Sequence, residues 1–407
     1  MRPIEALARA AITLGRALGR ARRAIQHRLT GRPPAAIIAY AGHGTPQRVH
    51  LAARVIDDAD IGEPSPTDGS LKNARRMFRV FDAAPLAGAR LRVEYGGQTR
   101  LTTTDDRGFA RLELTAPADR PFARGVTLAR YILEDPAPRG LAPTTNTAPV
   151  FIPQPAARHL IVSDVDDTII RSAATSAVRL VMETLRHNVY RRVAFPGVAA
   201  FYRALADTPE LDPDPKTGHV DARPHGQTPI YYLTSSVWRV HGLLTAFFAL
   251  HGLPAGPLLM SDRRLVGGGL DPHRHRHHKL GHLRALLELH PHHRLVLIGD
   301  CGQRDPEIFA ELATEAPARV AAIYLRDLGD AARRAHVDAL LAPAQKQGIA
   351  LCIAPDSLTH ARHAAHHGLI DPARLDGIER TLPVEALPEL PATQEEIHDE
   401  RPAELAS

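Results

Sequence analysis

The sequence predicts an α/β domain built on a parallel sheet, preceded by a small all-β sandwich domain. Two observations lead to this prediction. From 158 to about 370, short apolar segments alternate with helical patterns, as in a parallel sheet covered by helices. From 35 to 135, apolar and polar residues alternate singly around glycine-containing turns, which is typical of antiparallel strands. With 407 residues, 44% of them hydrophobic, the chain is long enough to build both cores.

Charge and cysteine content narrow the class of protein. The formal net charge is +5 and the pI is about 9.4, but almost all basic residues are arginines, so the charge says little about partners. The two cysteines, Cys301 and Cys352, give no disulfide framework, which fits a reducing compartment. No apolar run approaches the ~20 residues that span a bilayer, and arginines interrupt the N-terminal segment where a signal peptide would be uncharged. We expect a cytoplasmic protein without a nucleic-acid ligand or an obligate protein partner.

Residues 1–32 predict a basic amphipathic helix. Their apolar residues recur at spacings of three and four, while Arg2, Arg9, Arg16 and Arg23 fall on another face. Such a helix could lie in an anionic membrane surface and place the protein peripherally on the inner membrane. It could equally dock on the protein itself or fray in solution, so both interpretations stay open.

Residues 33–135 are predicted to form the β-sandwich, of immunoglobulin or transthyretin type. The stretch LRVEYGGQTRLTTTDDRGFARLEL contains a Gly-Gly turn at 96–97 and holds no catalytic constellation, which favours a binding or packing module. Residues 136–157 carry six prolines (136, 138, 143, 149, 153 and 155) and are predicted to be a stiff linker. The stretch 380–407 is acidic and poor in aromatic residues, which predicts a disordered tail.

Residues 158–375 contain strands that end in polar residues. LIVSD ends at Asp164 with Asp166 just beyond it, YYLT ends at Thr234, and RLVLIGD ends at Asp300. In open α/β sheets ligands bind outside the carboxyl ends of the strands, so these side chains should converge on one crevice. Lys279, in a chain with few lysines, opens the helical run KLGHLRALLEL.

These groups are the parts needed for phosphoryl transfer through an aspartyl-phosphate. Asp164 and Asp166 pair a carboxylate nucleophile with an acid/base, and Thr234 and Lys279 can bind phosphate oxygens. Clustered carboxylates need a cation to hold them together, and ligands that are all oxygens favour Mg²⁺. Asp305, in GDCGQRD, adds a further carboxylate.

The motifs DVDDT, the strand-end threonine, the isolated lysine and GDCGQRDPEIF, in this order, resemble the haloacid dehalogenase superfamily. More closely, the stretch from 158 to 370 resembles the catalytic domain of the actin-patch-protein type of phosphatidate phosphatases, which are relatives of the lipins. Bacterial members are similar in carrying a β-sandwich ahead of this domain. The resemblance implies a Rossmann-like sheet of haloacid-dehalogenase type.

The resemblance also implies roles for individual residues. Asp164 would be the nucleophile, and Asp166 the general acid and then the base. Thr234, Ser235 and Lys279 would bind the substrate phosphate. The Mg²⁺ ligands would be Asp164, the Asp166 carbonyl, Asp300 and Asp305. Two motifs depart from the family pattern. Thr-Ser-Ser-Val-Trp at 234–238 stands where the family has Ser-Asn-Ser-Pro-Trp, and Cys301 stands where it has Ser.

Three functions remain open at this point. The first is a Mg²⁺-dependent phosphatase that converts phosphatidate, a phospholipid, to diacylglycerol at an anionic membrane surface. The second is a phosphatase of the same superfamily acting on a soluble or protein phosphomonoester, and the third is a non-enzymatic scaffold at membranes. The gaps between motifs leave no room for a folded cap of ~60 residues, which predicts an open crevice suited to a membrane-embedded substrate.

The histidine- and arginine-rich segment 263–278 remains ambiguous. Its HRHRHHK run could bind zinc, but a flexible basic loop above the crevice that steers phosphate is the favoured interpretation. The glycine triplet at 267–269 is predicted to be the hinge of this loop.

Overall fold

The computed structural model describes residues 35–57, 83–135, 144–170, 194–207, 228–261 and 272–382. Outside these ranges lie the predicted N-terminal helix, the glycine triplet, residues 383–407 of the predicted acidic tail and the part of the histidine-rich segment before 272. The described residues form two sheets, one of seven strands and one of six.

The seven-stranded sheet contains all the strands of the N-terminal part. Its order is β4-β3-β6-β7-β1-β2-β5, and every pairing is antiparallel except that of β1 with β7. The strands are β1 (Ala35–Gly44), β2 (Arg48–Asp57), β3 (Arg90–Tyr95), β4 (Gln98–Thr103), β5 (Phe109–Thr115), β6 (Gly125–Asp135) and β7 (Thr145–Ile152). Alternate residues of β3 are buried, as the sequence pattern predicted.

The predicted all-β region is confirmed, although its strands belong to one continuous sheet that curls on itself. The two edge strands approach each other, because the side-chain amide of Gln98 on β4 donates to the carbonyl of Thr115 on β5 at 3.0 Å. Gly96 and Gly97, both at positive φ (58° and 77°), form the predicted turn between β3 and β4. A barrel-like sheet of this kind encloses its own apolar core.

Strand β7 lies inside the segment 136–157 that we predicted to be a linker. Val150, Phe151 and Ile152 are buried there, so this part of the segment belongs to the core. The prediction was wrong because it took Pro149 as evidence against a strand, since proline has no N–H to donate to a neighbouring strand. The described pairing of β7 with β1 begins one residue later, at Val150, while β6 pairs with β7 through Pro149 as well.

The six-stranded sheet is parallel throughout and has the order β10-β9-β8-β11-β12-β13. Its strands are β8 (His159–Asp164), β9 (Ile230–Val237), β10 (Leu258–Ser261), β11 (Arg294–Asp300), β12 (Val320–Arg326) and β13 (Ala350–Ala354). The predicted α/β class is confirmed. The strand order reverses between β8 and β11, and such a switch point is where open α/β sheets bind ligands.

Helices connect and cover this sheet. They are α1 (Val198–Leu205), α2 (His241–Leu250), α3 (Pro272–Leu289), α4 (Asp305–Glu315), α5 (Ala331–Lys346), α6 (Ser357–His366) and α7 (Leu375–Glu379). Because α3 begins at Pro272, the HRHRHHK run is helical rather than a flexible loop, which corrects our prediction for 272–278. Pro272 is at the first helical position, where a missing N–H is harmless. None of the helices in the described ranges is long and apolar enough to cross a bilayer.

The two sheets contact each other through aromatic side chains. Tyr40 on β1 packs against Trp238, which follows β9, with ring centroids 4.4 Å apart. Phe109 on β5 lies 5.7 Å from the same indole. The β-rich part therefore packs directly on the edge of the parallel sheet that carries β9 and β10.

Candidate active site

The switch point of the parallel sheet brings together the predicted carboxylates. Asp164 ends β8 and Asp300 ends β11, and these strands are hydrogen-bonded neighbours. Asp305 begins α4, the helix that follows β11. All three side chains are almost completely buried, at 3% exposure or less. The apolar residues that fix the strands in the core thus place negative charge where the chain leaves the sheet.

Lys279 bridges two of these carboxylates. Its Nζ lies 2.6 Å from Asp164 Oδ1 and 2.5 Å from Asp305 Oδ1. Burial by itself lowers the pKa of Lys279, but the charges and hydrogen bonds of Asp164 and Asp305 outweigh it and raise the pKa above its ordinary value. The ammonium group therefore stays positively charged. Lys279 lies in the third turn of α3. We had predicted that Lys279 opens this helix, so the helix begins earlier than predicted.

Asp166 lies in the turn that follows β8 and is half-buried. Thr234 Oγ1 donates to Asp166 Oδ2 at 3.2 Å and accepts from the Ser236 amide at 3.1 Å. Burial raises the pKa of Asp166, because desolvation penalises the charged carboxylate. Asp167 has a positive φ of 57°, which lets the chain turn sharply between Asp166 and the buried Thr168.

Asp164, Asp300 and Asp305 form a cluster that could hold a metal ion. Each offers one carboxylate oxygen, and these oxygens lie within 4.8 Å of one another. Asp164 Oδ2 and Asp300 Oδ2 are buried and have no hydrogen-bond partner among the described residues. Leaving buried charged oxygens unsatisfied is costly, so the arrangement fits a cation bound between them. Hard oxygen ligands of this kind suit a divalent ion such as Mg²⁺.

The pKa values of these carboxyls reflect their burial and their mutual repulsion. Burial and the neighbouring Asp305 raise the pKa of Asp164 well above its usual range. The same two causes raise the pKa of Asp300 to about 7. Lys279 alone therefore does not compensate the buried carboxylates, and a bound cation would lower both pKa values.

One close glycine contact and one backbone amide fix the loop after β11. A methyl group on Gly299 would lie 2.6 Å from Asp305 Oδ2, so only glycine lets this carboxylate pack against the strand. The backbone N–H of Gln303 donates to Asp300 Oδ1 at 2.7 Å. Cys301 is buried, and burial raises the pKa of its thiol to about 12, so it remains a neutral thiol.

Sequence reasoning missed Gln303 and Arg326. Gln303 Nε2 donates to the Asp166 carbonyl at 3.1 Å and thereby ties the loop after β11 to the turn after β8. Arg326 ends β12, is 4% exposed, and donates to the Thr168 carbonyl at 3.3 Å and to Ser357 Oγ at 3.0 Å. A polar residue at the end of a buried strand is the signal that marked Asp164 and Asp300, and it also applies to Arg326.

The remaining predicted residue, Ser235, follows Thr234 in β9 and is half-buried. The structure thus brings Asp164, Asp166, Thr234, Lys279, Asp300 and Asp305 into one connected site. Zinc binding was the less favoured interpretation of the HRHRHHK run. In that run the side chain of His278 is described, and its Nε2 lies 3.3 Å from the Met260 carbonyl and 3.1 Å from His282 Nε2.

Residues 159–327 match the family model for the catalytic domain of phosphatidate phosphatase APP1. The chain is 23% identical over 194 residues to phosphatidate phosphatase APP1 of Saccharomyces cerevisiae, which covers 48% of this chain and 30% of that protein. It is 24% identical over 172 residues to an uncharacterized protein of Schizosaccharomyces pombe, covering 41% of this chain and 25% of that protein. The chain therefore spans less than a third of the curated relatives that it matches.

Similarity to solved structures is weak. A Bifidobacterium dentium β-glucuronidase complexed with coumarin-3-O-glucuronide aligns with a TM-score of 0.27 at 10% identity, over 79% of this chain and 53% of that chain. A similarity this low bears on neither fold nor function. The matched segment, in contrast, begins at β8, ends just after β12 and contains every residue of the site just described. The family predicted from the motifs is thereby confirmed for residues 159–327, which are related to the catalytic domain of phosphatidate phosphatase APP1.

Proposed function

We propose that the protein is a Mg²⁺-dependent phosphatase that hydrolyses phosphatidate to diacylglycerol through an aspartyl-phosphate. The observation that carries the proposal is the contact of Lys279 with Asp164 and Asp305, beside the paired Asp166 and Thr234, within the segment that matches the phosphatase family. A scaffold without activity would have no need of these buried charges, which are costly to keep.

Asp164 is the nucleophile in this mechanism. Its carboxylate oxygen attacks phosphorus, the bond to the leaving alcohol breaks, and an acyl phosphate forms on the side chain. A protonated carboxyl cannot attack, so Asp164 must be ionised, and the ammonium of Lys279 favours the ionised form. Lys279 also offers positive charge to the phosphate oxygens as the substrate enters.

Asp166 serves as general acid and then as general base. Its raised pKa keeps a proton available for the leaving oxygen, and the resulting carboxylate can then take a proton from the water that cleaves the acyl phosphate. Thr234 holds this carboxyl in place through its hydroxyl and, with Ser235, can donate to the phosphate.

Asp164, Asp300, Asp305 and the Asp166 carbonyl would hold Mg²⁺. When bound, the ion would neutralise the clustered carboxylates and withdraw charge from the phosphate oxygens. The role of the chain is to pre-form the ligand set, since Gly299 and the Gln303 amide fix Asp305 and Asp300 before any ion arrives. A sheet of haloacid-dehalogenase type without a large cap would leave this site open to a headgroup at a membrane.

The test is to measure phosphate release by the purified full chain. We expect phosphatidate in mixed micelles to be hydrolysed with a kcat/KM at least ~10-fold above that of any soluble phosphomonoester, a difference of ~1.4 kcal/mol in transition-state stabilisation. EDTA should abolish turnover, and Mg²⁺ should restore it and raise the melting temperature. Preferential turnover of a sugar phosphate or nucleotide would favour the second phosphatase interpretation, and no turnover of either class would refute both.

A further inference from the structure

A cavity of about 420 Å³ lies between the two sheets. β1, β2 and β5 of the curled sheet form one wall, and β10, α3 and Trp238 form the other. Its lining is mainly apolar and includes Leu51, Leu258, Leu286 and Leu289. This volume lies within the range of about 300–1,000 Å³ typical of small-molecule sites.

The cavity extends along α3, the helix that also carries Lys279. Lys279 comes first on this helix, and His282, Leu286 and Leu289, which line the cavity, follow at spacings of three and four. From His282 to Leu289 the helix advances roughly 10 Å. The cavity is therefore elongated, with the catalytic lysine near one end.

The opposite wall also starts near the site. Trp238, which lines the cavity, follows Thr234 and Ser236 at the end of β9. Met260 lines the cavity from β10, and its carbonyl contacts the His278 ring next to Lys279. A ligand bound at the phosphate site could thus continue between Trp238 and Met260 into the cavity.

The two histidines that β1 and β2 contribute to the lining do not oppose an apolar ligand. Burial lowers the pKa of His43 to about 3, and burial also lowers the pKa of His50, so both rings are neutral at physiological pH. Arg111 and Glu113 are exposed on β5 and mark the part of the cavity that faces solvent.

We propose that this cavity binds one fatty acyl chain of the lipid substrate while the headgroup phosphate lies at Lys279. The inference rests on the proposed function. An apolar cavity lined from the same helix as Lys279 and from the residue that follows β9 suits a ligand with a charged head and a long hydrocarbon tail, whereas a soluble phosphomonoester would leave the cavity empty. The β-rich part then has a function, because Tyr40, Ala41 and Leu51 supply the outer wall of the acyl site.

Trp238 allows a direct test, because it is the single tryptophan of the chain. The full chain carrying Asp164→Asn, which cannot turn over substrate, is titrated with phosphatidate bearing dibrominated stearoyl chains, since bromine quenches indole fluorescence on contact. We expect at least twofold quenching at saturation. Adding Ala285→Phe, which fills the cavity from α3, should reduce this quenching at least twofold, as should Ala52→Leu from the other wall. Ala335→Phe, at an exposed position on α5, is the matched control and should leave it unchanged.

Kinetics of the otherwise wild-type chain provide the second measurement. The ratio of kcat/KM for long-chain to dihexanoyl phosphatidate should fall at least tenfold in Ala285→Phe and stay constant in Ala335→Phe. Absence of quenching, or equal quenching in the filled and control variants, overturns the acyl site even if phosphatidate is hydrolysed. Quenching without hydrolysis of any phosphatidate by the wild-type chain overturns the proposed function and leaves the cavity as an acyl-chain site.

Discussion

At the scale of single residues, the site is a set of buried charges held in fixed positions. Lys279 forms ion pairs with Asp164 and Asp305, while one oxygen of Asp164 and one of Asp300 lack hydrogen-bond partners among the described residues. A polar group buried in this way costs about 1–3 kcal/mol when unsatisfied, more when charged. These residues therefore cost stability, as expected of the cation and substrate site proposed above.

The first prediction concerns the two acidic residues of the DVDDT motif. Asp164→Asn should abolish phosphate release, because an amide cannot attack phosphorus. Asp166→Asn should reduce kcat by about 10²–10⁴-fold, because it removes the acid/base from both half-reactions. Discontinuous assays of phosphate release measure the activity of both variants, and Asp338→Asn, at an exposed position, is the control. Near wild-type turnover by a pure Asp164→Asn preparation would contradict the nucleophile assignment.

The second prediction compares two glycines. Gly299→Ala would place a methyl group 2.6 Å from Asp305 Oδ2 and displace the carboxylate that pairs with Lys279, so we expect at least a tenfold loss of kcat/KM and weaker metal binding. Gly281→Ala is the matched control, because nothing lies within 4 Å of its added methyl group although it is close to Lys279 in sequence. This control should stay active and gain up to about 1 kcal/mol of helix stability. Equal activity of the two variants would show that the close approach at Gly299 is not required.

At the scale of secondary-structure elements, strand ends and helix starts position the chemistry. β8 and β11 deliver Asp164 and Asp300, α4 delivers Asp305, and α3, which packs in the same core as α4, delivers Lys279. Arg326 links the end of β12 to the start of α6, since it donates to Ser357 Oγ and stacks on Phe195 at 4.0 Å. The elements around the site are thus joined through buried polar contacts.

The third prediction concerns His360, which α6 buries against the end of β12. Its Nε2 lies 3.2 Å from the Leu325 carbonyl, and burial, together with the charge of Arg326, lowers the pKa of His360 to about 3. Between pH 3 and about 6.5 the unfolded chain binds a proton at His360 that the folded chain does not. The free energy of unfolding is therefore highest above pH 6.5 and falls as the pH decreases. From pH 7 to 5 this site should account for a loss of about 2 kcal/mol.

Chemical denaturation across this pH range measures the effect. His360→Leu should reduce the slope of unfolding free energy against pH by up to ~1.4 kcal/mol per unit, whatever its effect on stability at pH 7. His336→Gln, at an exposed position of α5, serves as the control. An unchanged slope in His360→Leu would mean that His360 titrates alike in the folded and unfolded chains.

At the scale of the whole molecule, two sheets of different type meet at aromatic side chains beside the candidate site. The predicted catalytic residues lie on the parallel sheet, on the turns after its strands and on α3, and the curled sheet packs on the sheet edge through Tyr40 and Phe109. Mutations in that contact should therefore affect lipid turnover without touching a catalytic group. The β-rich part is in this view a component of the enzyme rather than a tethered accessory.

The fourth prediction concerns residues 1–32, which lie outside the described ranges. If they form the predicted basic amphipathic helix at a membrane surface, their deletion should weaken sedimentation with anionic liposomes at least several-fold, because both apolar insertion and arginine attraction are lost. Turnover of a soluble phosphomonoester should not change. Equal liposome binding by the truncated and full-length proteins would exclude this role and direct attention to the exposed surface of the curled sheet.

Much of the architecture and of the site was determined by the sequence alone. Apolar runs alternating with helical patterns specify a buried parallel sheet, and the polar residue that ends each run has to lie at its carboxyl edge. Asp164, Thr234 and Asp300 could therefore be assigned to one site from the sequence. Local patterns sufficed there because strand direction fixes which edge each terminal residue reaches.

Only the tertiary structure decided which distant segments meet. β7 enters the core despite Pro149 because β6 and β1 provide partners for the rest of the strand, and α3 extends back through the histidine run that composition assigned to a loop. The contact of Gln303 with Asp166 and the cavity between the sheets join residues that are far apart in the chain. The contact of Gly299 with Asp305 depends on exact packing. Sequence periodicity predicts on which face of its own helix or strand a side chain lies. Which residue that side chain then contacts depends on how the whole chain packs.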